Sequence, residues 1–276
     1  MLAACRRLCR GWFWSDGLVV AGRVRPPCAD TPPQPGCSTG EATVWIRYDA
    51  DVVGSVGLDQ VRLRDFAGSV PWRRWRSHHG QAHLSGSYWA ATTGRHVVYE
   101  SRLELARLLL ADFDSQVAGI WAQPCRIVAA VDGRQRQHVP DFLLASPAGQ
   151  VSVVNVKPAH RLADPKIADA LAWPGELFTG HGWRYEVWSG CDAVVLENVR
   201  FLAGYRRPGI VDEDLIARAW QQVRDGEPLG EVERRLAGNT PGWTVRPALL
   251  ALLWRHRLTT DLFRPLSGEA ILCRQP

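Results

Sequence analysis

Between residues 99 and 189 the sequence runs as one helix followed by short apolar strands, each cut off by a strong breaker. That order confines the middle of the chain to an α/β arrangement. In YESRLELARLLLADFD (99–114), Leu103, Ala106, Leu110 and Phe113 fall on one face at the helical period, with Glu100 and Glu104 a turn apart on an adjoining face. IWAQPCRIVAAV (120–131) is extended but interrupted by Pro124. Asp132-Gly133 marks a turn, and RQHVPDFLLA (136–145) is predicted as one strand. Ser146–Gln150 is a second turn before VSVVNVK (151–157), which ends at Pro158. Asp164 as a cap and Pro165 in the first turn predict a helix to about Gly180, and WRYEVWS (183–189) another strand.

The flanks read differently. Residues 1–40 are rich in Pro, Cys and Gly without periodicity, which predicts a poorly ordered tail or linker. Residues 41–95 form a β-containing segment, with ATVWIRY and VRLRDF alternating as strands, followed by a stretch dense in Trp, Arg and His. The α/β core is placed at 96–206. Helices at 212–225, 228–237 and about 244–257, followed by a hairpin over 258–272, predict a helical C-terminal domain (207–276) of winged-helix type.

Charge follows this division. Residues 1–95 carry a net +5, 96–199 a net −3 and 200–276 a net +3. An acidic centre between basic flanks suits a metal-dependent enzyme acting on a polyanion; chance variation in surface charge is the plain alternative. No apolar run approaches the roughly 20 residues of a membrane span, and no signal peptide is evident, so no membrane association is expected. The seven cysteines are scattered without a CxxC pair, which argues against a disulfide framework and a cysteine zinc site and fits a reducing, cytoplasmic setting.

Chemistry concentrates in the middle. Asn155 and Lys157, two apart on a strand, share a face. If strands 136–145 and 151–157 pair, Asp141 lies beside them, and the helix can bring in Glu104. Two carboxylates with an amide or carbonyl oxygen form a hard-oxygen site suited to Mg²⁺. A nearby lysine can orient the attacking water and offset charge on the transition state of phosphodiester hydrolysis. Each residue also has a plain reading: solvated helix charges for Glu100 and Glu104, a turn or cap for Asp141, a surface position for Lys157.

In that order, SRLELA, QP, VPDFLL and VVNVKPA, with the tail GWRYEVWS…ENVRFLAGYRR, resemble the TnsA-like endonuclease subunit of heteromeric transposases, over about residues 96–206. That family has the restriction-endonuclease-like PD-(D/E)xK fold, a mixed β-sheet flanked by helices. The resemblance implies that Glu104 and Asp141 bind Mg²⁺ or Mn²⁺, that Asn155 holds the third motif position and that Lys157 is catalytic. The third position is usually Asp or Glu; Asn155 offers an oxygen without a charge, leaving more of the coordination to the Val156 carbonyl. The implied activity is metal-dependent cleavage of double-stranded DNA at the 5′ ends of a mobile element, with an integrase-type recombinase and an AAA+ ATPase regulator as partners. A stand-alone restriction or repair nuclease of the same fold and a non-catalytic DNA-binding assembly subunit are the alternatives.

For DNA contact the candidates are Arg73, Arg74 and Arg76 beside Trp72 and Trp75, with His160 and Arg161 after the catalytic strand. His78, His79 and His83 lack the companion ligands of a zinc or HNH site. Gln123-Pro124 reads as structural.

Overall fold

The computed structural model describes residues 42–73, 85–238 and 245–275. They divide into two compact units. One holds the described residues up to Asp112 together with Gln116–Gly190; the other holds Phe113–Ser115 and the described part of Cys191–Pro276. The architecture is mixed α/β, and among the described residues no helix is long and apolar enough to cross a membrane.

The first unit contains two four-stranded sheets and a hairpin. One sheet has the order β2-β1-β6-β7, from β1 (Thr43–Arg47), β2 (Val53–Gly57), β6 (Arg126–Val131) and β7 (Arg134–His138), and is antiparallel throughout. The other has the order β10-β9-β8-β5, from β5 (Gly119–Ala122), β8 (Phe142–Ala145), β9 (Val151–Val156) and β10 (Arg184–Trp188). There β9 and β10 are parallel, joined through helix α2 (Pro165–Gly180), and the other pairs are antiparallel. The hairpin is β3 (Gly86–Ala90) with β4 (Arg95–Tyr99), and helix α1 (Arg102–Phe113) follows it.

The core gathers the inward residues of both sheets, among them Val44, Ile46, Ile127, Leu143 and Val153, against Leu177 and Phe178 of α2. All six residues of β9 are buried, as expected of a strand with neighbours on both sides and a helix packed nearby. Helix α1 departs from the single apolar face read from sequence: every residue from Leu108 to Phe113 is buried. Asp112 among them accepts hydrogen bonds from Tyr88 Oη and from the backbone N–H groups of Ala91 and Thr92, so its charge is satisfied by the β3–β4 hairpin.

Several expectations change. VRLRDF is not a strand: Leu63–Phe66 is a 3₁₀ turn, because the Asp65 carboxylate accepts the Arg62 N–H at 2.7 Å and closes the backbone locally. The strand expected over 136–145 is two strands in different sheets, parted at Val139-Pro140-Asp141, where proline offers no N–H to continue a ladder. Strands β2, β3 and β4 and helix α3 (Ala193–Leu202) add to the elements expected. The boundary placed at 95/96 falls at the start of β4, and β1 and β2 share a sheet with β6 and β7.

In the second unit, α3 is capped by Asp192 and followed by α4 (Glu213–Gln222), β11 (Glu227–Pro228), α5 (Leu229–Ala237), α6 (Val245–Trp254), β12 (Leu258–Thr259) and β13 (Ile271–Arg274). The three strands form one small sheet in the order β11-β13-β12. Buried Asn198 of α3 donates to the carbonyls of Leu262 and Arg264 and accepts from the Leu266 N–H, tying the β12–β13 connection down. Cys125 is a free cysteine.

Candidate functional site

The chain crosses directly from a strand of one sheet to a strand of the other at two places, between β5 and β6 and between β7 and β8. The two crossings are tied together: Gln123 donates its N–H to the Asp141 carbonyl at 2.8 Å. Gln123 is buried and holds a left-handed backbone, φ 46°, directly before Pro124. A non-glycine residue in that region is strained and needs surrounding contacts to hold it. Here its carbonyl accepts the Trp72 N–H at 2.9 Å and its side-chain Oε1 the Arg73 N–H at 3.0 Å. Gln123 thereby fastens the Trp72–Arg73 segment to the strand crossing that carries Asp141.

At this seam lies a cleft of about 510 Å³, lined among others by Trp72, Arg73, Arg126, His138, Asp141 and Lys157. Pairing of β8 with β9 (Phe142 opposite Val154) brings the residue before one strand beside the end of the other. Asp141 accepts the Val156 N–H on Oδ2 at 2.7 Å, and Lys157 Nζ stands 3.8 Å from the same oxygen. Asp141 is 8% exposed and Lys157 sits half-exposed above it. The hairpin geometry read from sequence thus holds, and it joins two of the expected residues in one cleft.

The other two are turned elsewhere. Asn155 is 1% exposed, and its Oδ1 lies 2.7 Å from His138 Nε2. Among the described residues its buried Nδ2 has no hydrogen-bond partner. Exchanging the amide's oxygen and nitrogen lets Nδ2 donate to His138 and leaves the oxygen as the unpartnered atom. Glu104 caps α1 instead of opening into the cleft. Its two oxygens accept the Glu100 N–H at 2.7 Å and the Ser101 hydroxyl at 3.0 Å, while Ser101 Oγ accepts the Glu104 N–H. This is a variant of the capping box, and the Ser-x-x-Glu spacing that signals it is present in SRLE.

Electrostatics nevertheless couples these groups. Burial raises the Glu104 carboxyl above its usual range, the Asp141 charge adds to the rise, and the Glu100 N–H and Ser101 hydroxyl oppose it. Burial lowers His138, against the hydrogen bond to Asn155 and the Asp141 charge. Burial likewise raises the Tyr185 phenol, helped by Asp141, while its hydroxyl donates to the Leu171 carbonyl at 2.8 Å.

Two substitutions test the cap made by Glu104. Glu104→Gln keeps a side chain that can cap, so thermal stability is expected to hold within a few tenths of a kcal/mol; Glu104→Ala is expected to cost about 1 kcal/mol. Equal thermal stability of Glu104→Ala and the parent protein would contradict the cap.

The structure shows part of a hard-oxygen donor set: the Asp141 charge reaches Glu104 and helps to raise its carboxyl, while the unpartnered atom of the Asn155 amide is Nδ2, which faces a cation with its oxygen only after the amide is exchanged end for end. Among the described residues, no cluster of three or more His, Cys, Asp or Glu side chains is arranged to hold a metal ion. For Val156 the structure shows the N–H engaged with Asp141.

Of the DNA-contact candidates, Arg73 lines the cleft and pairs with Glu100 at 2.8 Å. Arg74 and Arg76, with Trp75, His78, His79 and His83, lie outside the described residues. His160 and Arg161 sit exposed on a 3₁₀ turn and do not line the cleft. Sequence reasoning passed over His138 and Arg126. The one cue for His138 was its place three residues before Asp141; Arg126 gave none, because its partners come from β1 and from the segment at Trp72.

His138 yields a pH prediction. The unfolded chain takes up a proton near pH 6.5, whereas the folded protein resists protonation there. Its contribution to stability is therefore complete above pH 6.5 and is lost as pH falls through the lowered folded value. The loss is at most about 1.4 kcal/mol per pH unit. His138→Gln should flatten the acid limb of a denaturation-versus-pH profile recorded without metal. A limb as steep as the parent's would contradict the burial argument.

No protein-family model matches the chain, and no curated protein matches it.

Proposed function

We propose that the chain is a divalent-metal-dependent DNA endonuclease with a restriction-endonuclease-like core, resembling the TnsA-like subunit that cleaves the 5′ ends of a mobile element. The observation that carries this reading is the meeting of Asp141 and Lys157, 3.8 Å apart, at the end of a fully buried β9 and in an open cleft. Buried on one side and held by the Val156 N–H, Asp141 is a fixed carboxylate. Lys157, on the exposed side, can move to meet a phosphate. Asp141 would hold Mg²⁺ or Mn²⁺, joined by Glu104 and the Asn155 oxygen on release from the helix cap and from His138; the ion would supply Lewis acidity and an acidified water. Lys157 then steadies charge on the scissile phosphate, and Gln123 holds Arg73 facing the same space.

The second unit fits a protein-docking role. Its order of helix, strand, two helices and two strands is that of a winged helix, but eight of the ten residues of α6 are buried. A helix so occupied has few side chains left to read a DNA groove. The recombinase and ATPase partners implied by the resemblance are the proposed occupants.

A second reading has its own support. Glu104 spent on a helix cap and Asn155 turned to His138 describe a subunit that binds DNA without cutting it. Titration with Mn²⁺ separates the two. Binding that is lost in Asp141→Asn supports the nuclease; absence of binding by a folded parent protein supports the non-catalytic subunit.

A further inference from the structure

We propose that Arg126 is an anchor for a backbone phosphate of duplex DNA, set beside the Asp141–Lys157 pair; the proposal rests on the nuclease reading above. Arg126 opens β6 opposite Trp45 of β1. Its guanidinium lies 4.7 Å from the Trp72 ring centroid and 5.6 Å from that of Trp45, so two aromatic rings hold it in place. The other cleft arginine has a carboxylate partner: Arg73 pairs with Glu100. Arg107 and Arg136 of the same unit pair with Glu186 and Asp169. Among the described residues no carboxylate pairs with Arg126, and its Nε is buried without a hydrogen-bond partner.

A half-buried cation without a carboxylate partner is costly unless an anion meets its accessible edge. A stacked guanidinium keeps its planar fork of N–H groups for two parallel bonds to one anion, the geometry of arginine on phosphate. Position supplies the rest. Arg126 and Gln137 line both the cleft of Asp141 and Lys157 and a second one of about 320 Å³ with Trp45, Gln135 and Arg136. A phosphate chain leaving the first cleft over Arg126 enters a second wall of glutamine and arginine, so the anchored phosphate is a neighbour of the scissile one.

The test is the salt dependence of binding to a short random-sequence DNA duplex, in EDTA so that no cleavage intervenes. Arg126→Gln is expected to reduce the slope of log affinity against log salt by about 0.9 and to weaken binding about tenfold at low salt. Arg126→Lys keeps the slope but not the full affinity. Trp72→Leu, which removes one ring, weakens binding at an unchanged slope, and it stands in if Arg126→Gln melts early. A folded Arg126→Gln with the parent's slope and affinity overturns the anchor and leaves the nuclease reading intact. A parent protein without salt-dependent DNA binding overturns the nuclease reading itself. Inorganic phosphate at constant ionic strength should not displace the duplex; displacement from the parent but not from Arg126→Gln would make the site one for a free anion and overturn the assignment to DNA.

Discussion

On the proposed nuclease reading, Asp141→Asn should lower DNA cleavage at least about 100-fold while the protein keeps its fold. Asparagine preserves the shape and an oxygen for the Val156 N–H, now 2.7 Å from Oδ2, so the β8–β9 hairpin keeps its closing bond. Alanine would be a poorer probe: a buried N–H left without an acceptor costs roughly 1–3 kcal/mol, and lost activity could then reflect a loosened hairpin. What asparagine removes is the charge that faces Lys157. Cleavage and thermal unfolding measured on one preparation decide it. Parent-like cleavage by a folded Asp141→Asn protein would remove Asp141 from the chemistry.

The largest effect on stability is expected at Phe178. This residue of α2 is fully buried, with its ring stacked 5.9 Å from Trp183 and 6.4 Å from Tyr185. Phe178→Ala removes the ring from a cluster fed by both sheets and α2, at an expected cost of about 3–5 kcal/mol in denaturant unfolding. Tyr185 also contacts the Leu171 carbonyl through its hydroxyl, so collapse of the cluster loosens the base of the cleft that Leu171 helps to line. A cost below about 1 kcal/mol would mean that the cluster does not hold the unit together.

What was legible in the sequence was what short-range chemistry decides. The helix at Pro165–Gly180 follows from Asp164, whose carboxylate accepts the Lys166 N–H, and from Pro165, whose missing donor costs nothing at that position. The β8–β9 hairpin follows from a tight turn between two apolar runs, and with it came the meeting of Asp141 and Lys157. Alternation misled at VRLRDF, where a three-residue side-chain bond from Asp65 outweighs the strand pattern. The strand read through Pro140 joined polar β7 (RQRQH) to apolar β8 (FLLA), which belong to different sheets.

The rest of the site depends on sheet pairing between distant residues. His138 meets Asn155 because β7 and β9 converge on one seam, 17 positions apart in the chain. Arg126 is sandwiched because β1 and the Trp72 segment close over it. Neither encounter leaves a local pattern. The cap made by Glu104 did leave one, in Ser101-x-x-Glu104, and a resemblance that pointed to metal binding drew attention away from it.

The most direct measurement of the central claim is nicking of duplex DNA carrying the end of the proposed mobile element by the full chain, with the proposed recombinase partner added, in Mg²⁺ or Mn²⁺ and in EDTA. The account predicts strand-specific nicks that require the divalent ion and disappear with Asp141→Asn and with Lys157→Met. Nicking that persists in EDTA, or that both variants retain, would contradict it.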